Sequence, residues 1–225
     1  MESVAQPPVI VKPHRLTHKG EDANIQPMKH RDFEMLTNTV KSLLEKKEQV
    51  LIAIDGCAAA GKSTLAKELA AHFVKEHSVN IIHMDDFFLP PSLRTEERLS
   101  EPGGNVHYER FAQEVLPCLG GKTAFSYGIF DCSVMKVTKN ADLSPAALTV
   151  VEGAYAMHPR FGDPYDLHVF LAADIALQRK RILARNGEMM LRRFESVWIP
   201  MEHRYFDAYG IKDRCDFVFM AEDTE

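Results

Sequence analysis

Eight consecutive residues, Gly56-Cys57-Ala58-Ala59-Ala60-Gly61-Lys62-Ser63, fit the pattern G-x-x-x-x-G-K-[ST]. Glycine lets a backbone come close to an anion, and the first turn of a helix offers that anion unpaired N–H groups and a positive dipole end. The lysine adds a point charge for the outer phosphates of a nucleoside triphosphate, and the serine hydroxyl is an oxygen ligand for the magnesium that bridges them. ATP and Mg2+ are therefore the expected cofactors, with Gly56 through Ser63 and the following Thr64 as the nucleotide-binding stretch. A glycine-containing turn with a solvated lysine is the plain alternative, and the flanking segments speak against it.

Carboxylates at strand ends are the next chemical groups. Asp85 and Asp86 follow the apolar run Val79-Asn80-Ile81-Ile82-His83, and Asp85 is preferred as the base that accepts the proton of an attacking hydroxyl, with a further part in holding magnesium. Glu152 ends another apolar run, where a charge is costly unless it meets a cation or donors, so magnesium or substrate is expected beside it. Ordinary loop acids, or acceptors for turn amides, are the competing readings. His83 reads as a packed or hydrogen-bonded histidine rather than a catalyst.

Arginines supply the third group. Arg179, Lys180, Arg181, Arg185, Arg192 and Arg193 flank the Asn186-Gly187 break, and Glu188 is the only acid between Gln178 and Arg193. A mobile lid over residues 178–193 would fold such guanidinium groups over the triphosphate and exclude water. Arg185, next to the break, is the first choice for a catalytic arginine and Arg181 the second; a solvated helical face is the competing reading.

The elements that must position these groups alternate. Val50-Leu51-Ile52-Ala53-Ile54 reads as a strand buried on both faces, and Thr64 to Val74 as a helix with Leu65, Leu69 and Phe73 on one side. Further strands are expected at 79–83, 147–151, 167–171 and 216–220. Helices are expected from Asp32 to about Lys47, over 108–116, from an Asp174 cap to about Ala184, and from Glu188 to Tyr209. Residues 89–105, with Pro90, Pro91, Pro102, Gly103 and Gly104, are expected to form an irregular loop beside the site. Thr123–Tyr127 and Val134–Thr138 are expected to pair as a small hairpin. The order implies an α/β fold, a three-layer α/β/α sandwich around a mainly parallel sheet, the architecture of the P-loop nucleoside triphosphate hydrolases. Residues 1–30, rich in proline without periodicity, read as an irregular arm before a domain over 31–225.

Composition bounds the function. The chain has 225 residues, 45% hydrophobic and 26% charged, with a formal net charge of -5. That balance suits one globular domain and opposes a general nucleic-acid binder, so a small-molecule partner is expected. No apolar run approaches the roughly 18 residues of a membrane span, no signal-like N-terminus is evident, and the four cysteines lack metal or disulfide spacing. A cytoplasmic protein without membrane partners and with free thiols is expected; a homo-oligomer is compatible with the sequence.

Taken together, Asp55-Gly56 through Ser63, His83-Met84-Asp85-Asp86-Phe87-Phe88, Val150-Val151-Glu152-Gly153 and the arginine-rich lid resemble the uridine kinase family of P-loop kinases, to which phosphoribulokinase and bacterial pantothenate kinase are related. The likeness covers about residues 48–220. It implies an ATP- and Mg2+-dependent kinase with Asp85 as base, Lys62 and Ser63 at phosphate and metal, Glu152 near the metal, and a nucleoside pocket. In that family a tyrosine matches Phe88, a tyrosine beside the base matches Tyr127, a base-reading histidine matches Cys132, and a ribose-holding aspartate falls within the segment Gly104-Asn105-Val106-His107-Tyr108. His107 in that segment suggests an acceptor with an anionic group, or else a simple helix cap. The leading expectation is a kinase moving the γ-phosphoryl of ATP to a hydroxyl of a nucleoside or related metabolite. The alternative is a nucleotide-dependent switch or scaffold without metabolite kinase activity; the guanine motif N-K-x-D is absent from the sequence.

Overall fold

Three apolar runs become strands buried along nearly their whole length: β1 (Val50–Gly56), β5 (Leu148–Glu152) and β6 (Leu167–Ala172). Two more, β2 (Val79–His83) and β7 (Phe217–Met220), are half-buried. Their order in the sheet, β2-β5-β1-β6-β7, accounts for the difference, because β2 and β7 are the edges. Every neighbouring pair runs parallel, as the expected α/β fold requires. These observations come from a computed structural model in which residues 30–223 are described; apart from His30, the expected N-terminal arm lies outside the described residues.

Helices flank the sheet. α1 (His30–Leu44) buries Leu36 and Val40, and α2 (Lys62–Phe73) buries Leu65, Ala66, Leu69 and Phe73 against the sheet core. Each fully buried leucine contributes on the order of 2 kcal/mol, so these stripes fix the helix that begins at Lys62. Between β2 and β5 run α3 (Glu96–Ser100), α4 (Tyr108–Glu114) and an antiparallel hairpin of β3 (Phe125–Asp131) and β4 (Lys136–Leu143). The hairpin strands are longer than the short pair expected.

The 89–105 segment corrects the sequence reading, since it contains α3. Its prolines lie outside residues 96–100, Thr95 Oγ1 accepts from Arg98 N at 3.1 Å, and Glu96 and Glu97 suit the positive end of the helix. Arg98 then knits the segment together, donating to Gly104 O at 2.9 Å and Val106 O at 3.0 Å, pairing with Glu109 at 2.6 Å and lying 3.7 Å over the Tyr108 ring.

After β6, Asp174 caps α5 (Ile175–Arg193) as expected, its Oδ1 accepting from Leu177 N at 2.8 Å. Gly187, at φ 77 and ψ 174, breaks the helical path where the break was expected, in a conformation few other residues adopt without strain. The single helix expected over 188–209 is instead divided. A π-helical turn at Phe194–Trp198, where Ile199 N–H reaches back to Phe194 O, separates α5 from α6 (Ile199–Tyr209). Pro200 lies in the first turn of α6 and has no N–H to give the carbonyl of Ser196, which accounts for the disrupted register.

Candidate active site

β1, β5 and β2 lie side by side with common direction, so their carboxyl ends meet. Ile54 is level with Glu152, and Glu152 with His83. The chain leaves β1 through the glycine loop. Gly56 packs so close to β6 that an added Cβ would stand 2.1 Å from Leu171 O, and its φ of 135 excludes other residues independently. Asp55, fully buried, anchors this corner: its carboxylate accepts from Gly56 N at 2.7 Å, Tyr155 N at 3.2 Å, Met157 N at 3.0 Å and Tyr205 Oη at 2.8 Å. One acid thereby ties the glycine loop to the loop after β5 and to α6.

The loop is gripped from two more elements. Ala58 N–H donates to Glu202 Oε2 of α6 at 2.9 Å, and Gln178 Nε2 of α5 donates to Ala58 O at 2.9 Å. Both side chains are buried, and burial pushes the Glu202 carboxyl up to about 7, with the Lys62 ammonium and the Ala58 amide pulling it back. Lys62 Nζ donates to Gly56 O and Cys57 O, each at 2.8 Å, which holds the ammonium against the loop.

Glu152 is the hub on the β5 side. Its Oε1 accepts from Ser63 Oγ at 2.9 Å and meets His83 Nδ1 at 2.5 Å, while the residue itself is 4% exposed. The carboxylate raises the His83 pKa, chiefly through that hydrogen bond and against the opposing effect of burial. A serine hydroxyl beside a carboxylate is the hard oxygen pair that magnesium takes alongside nucleotide phosphates, so the residues present fit the ion.

Asp85 sits in the 3-10 turn that closes β2 (Met84–Phe87) and opens onto the cavity. The enclosing walls push its carboxyl up; the Lys62 ammonium opposes the rise and the Glu152 carboxylate adds to it. The Arg185 guanidinium is also within its electrostatic reach. The turn is braced from behind. Arg110 donates to Asp86 O at 2.5 Å and to Gly128 O, lies 4.5 Å over the Phe87 ring, and pairs with Glu114 at 3.2 Å, while Tyr127 Oη donates to Asp86 Oδ2 at 3.2 Å. Asp85 is therefore free to face the cavity while Asp86 is engaged in structure.

These groups share one cavity of about 1640 Å3. A single small-molecule site is commonly about 300–1,000 Å3, so the cleft has room for a nucleotide and a second ligand. Gly61, Lys62, Ser63, Thr64, Asp85, Phe88, Glu152, Arg181 and Arg185 all line it, and so does Cys132. Arg181 reaches the loop directly, Nη1 donating to Ala59 O at 3.0 Å. The arginines of the 178–193 stretch divide by partner: Arg179 pairs with Glu195 at 2.6 Å and Arg192 with Glu188 at 2.7 Å, whereas Arg181, Arg185 and Arg193 make no ion pair among the described residues.

Two expected substrate residues stand elsewhere. His107 is the N-cap of α4, its Nδ1 accepting from Arg110 N at 3.4 Å and lying 3.1 Å from Glu109 Oε2, so the capping reading holds. Tyr127 is buried behind Asp86, stacked on Phe87 at 5.2 Å, and does not line the cavity. Sequence reasoning missed Glu202 and Gln178, which carry no motif. The Asp55 role was signalled only by an acid closing an apolar run.

No family model matches the chain. A uridine kinase of Ureaplasma parvum serovar 3 is 27% identical over 161 residues, covering 68% of this chain and 77% of that protein. The fold is shared with a chain described as a possible uridine kinase from Bacillus stearothermophilus, at a TM-score of 0.64 and 20% identity over 85% of this chain and 100% of that one. It is shared also with D-glycerate 3-kinase from Cryptococcus neoformans var. grubii, at a TM-score of 0.57 and 15% identity over 77% and 87%. The chain has the P-loop fold and resembles the uridine kinase-like P-loop kinases. The relatives support a phosphotransferase acting on a small molecule. No helix among the described residues is long and apolar enough to cross a membrane.

Proposed function

We propose that this protein is a kinase that transfers the γ-phosphoryl group of ATP to a hydroxyl of a nucleoside or related metabolite. The observation that carries the reading is the convergence of Lys62, Ser63, Glu152 and Asp85 on one cavity at the carboxyl ends of parallel strands. The glycine-loop amides and Lys62 would hold the phosphates, and Ser63 with Glu152 would hold Mg2+, which neutralises phosphate charge when bound. Asp85, whose carboxyl pKa is raised by desolvation, is suited to take the proton of the attacking hydroxyl. Arg181 and Arg185, which make no ion pair among the described residues, would meet the charge of the transferring group, and Gly187 gives the lid a place to bend.

The test is ADP release with MgATP across nucleosides, sugars, vitamins and hydroxy acids, with product mass as confirmation. Acceptor-dependent ADP and a product heavier by one phosphoryl group support the reading. Slow hydrolysis indifferent to every acceptor would oppose it.

A further inference from the structure

The cavity wall holds two more cations that make no ion pair among the described residues. Arg94 follows the 3-10 turn Pro91–Leu93; its Nε donates to Leu89 O at 2.8 Å, which spends one of its five N–H groups and fixes the side chain. Arg193, at the end of α5, lies 5.6 Å over the Trp198 ring. Burial disfavours the charged form of Arg94; Cys132 opposes that and Arg193 adds to it, so the two guanidinium groups are within electrostatic reach of each other. The thiol of Cys132 is a common neighbour of Arg94 and Asp85.

Arg94 is half-buried and Arg193 exposed, and a partly buried charge facing a like charge is a cost unless an anion answers it. Among the described residues, none of the acids lining the cavity, Glu68, Asp85, Glu152, Glu202 and Glu222, makes an ion pair with either arginine. Glu152 is engaged by Ser63 and His83, and Glu202 by the Ala58 amide. Arg98 of α3 shows the contrast: it has a bidentate carboxylate partner in Glu109 and lies outside the cavity.

The cavity also carries polar atoms of the kind that read a hydroxyl. Tyr155 is 2% exposed, its hydroxyl and the amide oxygen of Asn105 are buried without a well-formed hydrogen bond among the described residues, and the Asn105 side chain is within reach of that hydroxyl. Tyr155 is held with φ 74, a strained backbone for a residue with a side chain, and its amide is fixed by Asp55. Cations and a hydroxyl reader without partners among the described residues thus line the same cavity as Asp85.

The geometry points to an acceptor that carries an anionic group, a carboxylate or a phosphate, bound by Arg94 and Arg193, with its hydroxyls read by Tyr155 and Asn105. This rests on the kinase reading for the word acceptor, and narrows its substrate to negatively charged hydroxylated metabolites. A neutral nucleoside leaves both arginines unanswered.

Binding can be measured without turnover. The protein is first saturated with Mg2+ and a non-hydrolysable ATP analogue, so that anions cannot enter the glycine loop. Matched pairs are then titrated calorimetrically: glycerol against D-glycerate, ribose against ribose 5-phosphate, uridine against uridine monophosphate. In at least one pair the anionic member should bind roughly tenfold tighter or more, the worth of a charge-assisted hydrogen bond, and the pair that responds distinguishes carboxylate from phosphate. Arg94→Gln and Arg193→Gln should each reduce that preference roughly tenfold while leaving the neutral member's Kd within about twofold. Arg193 is exposed, so its variant isolates charge from folding. The inference is overturned if no anionic member is preferred in any pair, or if the preference survives both variants. ADP release separates the two readings: anion preference without phosphoryl transfer sinks the kinase alone, and efficient transfer to a neutral nucleoside without anion preference sinks this inference alone.

Discussion

Ser63 and Glu152 stand 89 positions apart in sequence, yet Ser63 Oγ donates to Glu152 Oε1 at 2.9 Å, joining the first turn of α2 to the end of β5. If this pair holds the metal, Glu152→Gln and Ser63→Ala should each raise the Mg2+ needed for half-maximal turnover by roughly 10-fold or more. His83→Ala, which removes the group orienting Glu152, should act in the same direction by a smaller factor. Magnesium titrations of the three variants that overlay the parent curve would remove the pair from the metal site.

The lid arginines should separate by partner rather than by position. Arg185→Ala should lower turnover by roughly 100-fold or more, with ADP affinity changed far less. Arg192→Ala, whose guanidinium is paired with Glu188 on an exposed face, should stay within about twofold. Equal losses at both sites would mean that the whole stretch acts as a diffuse basic surface.

Glu202 gives a pH signature. Its folded pKa of about 7 lies above the ordinary 4.5, so between those values the folded protein binds more protons than the unfolded chain, and stability falls as pH rises through this window. Glu202→Gln keeps an oxygen for Ala58 N–H and cannot ionise. The variant should match the parent near pH 5 and exceed it above pH 7.5, by an amount reaching about 3 kcal/mol. Urea unfolding at the two pH values reads the difference directly, and a constant difference would assign Glu202 an ordinary pKa.

Much of this site was legible because its chemistry is local. Gly56 through Ser63, Asp85 and Glu152 all follow short apolar runs, and a run ended by an acid or a glycine places those groups at strand ends before any coordinates exist. Buried central strands and helices with a single apolar stripe likewise fixed the fold class. What was hidden depends on contacts between distant elements. Glu202 looks like one acid of an amphipathic helix, and its attachment to Ala58 is 144 positions away. His107 and Tyr127 were placed by analogy of position, and the packing of α4 and the hairpin turned both away from the cavity. The helix at 96–100 was masked by neighbouring prolines, although its Thr95 cap and following glutamates were readable.

Asp55 shows how a single hidden acceptor organises the site. Asp55→Ala leaves three backbone amides and the Tyr205 hydroxyl without their acceptor in a fully buried corner, and should cost at least about 3 kcal/mol of stability. Chemical unfolding measures it; a loss below about 1 kcal/mol would show that the corner repacks without the carboxylate.

The most direct test of the kinase account is pre-steady-state phosphoryl transfer by the parent and by Asp85→Asn, with nucleotide affinity measured on the same samples. Asparagine keeps the shape and removes the base, so ATP affinity should stay within a few fold while transfer to the acceptor slows roughly 100- to 10,000-fold. Transfer at the parent rate by Asp85→Asn, or ATP consumption by the parent that no hydroxyl acceptor accelerates, would contradict the account.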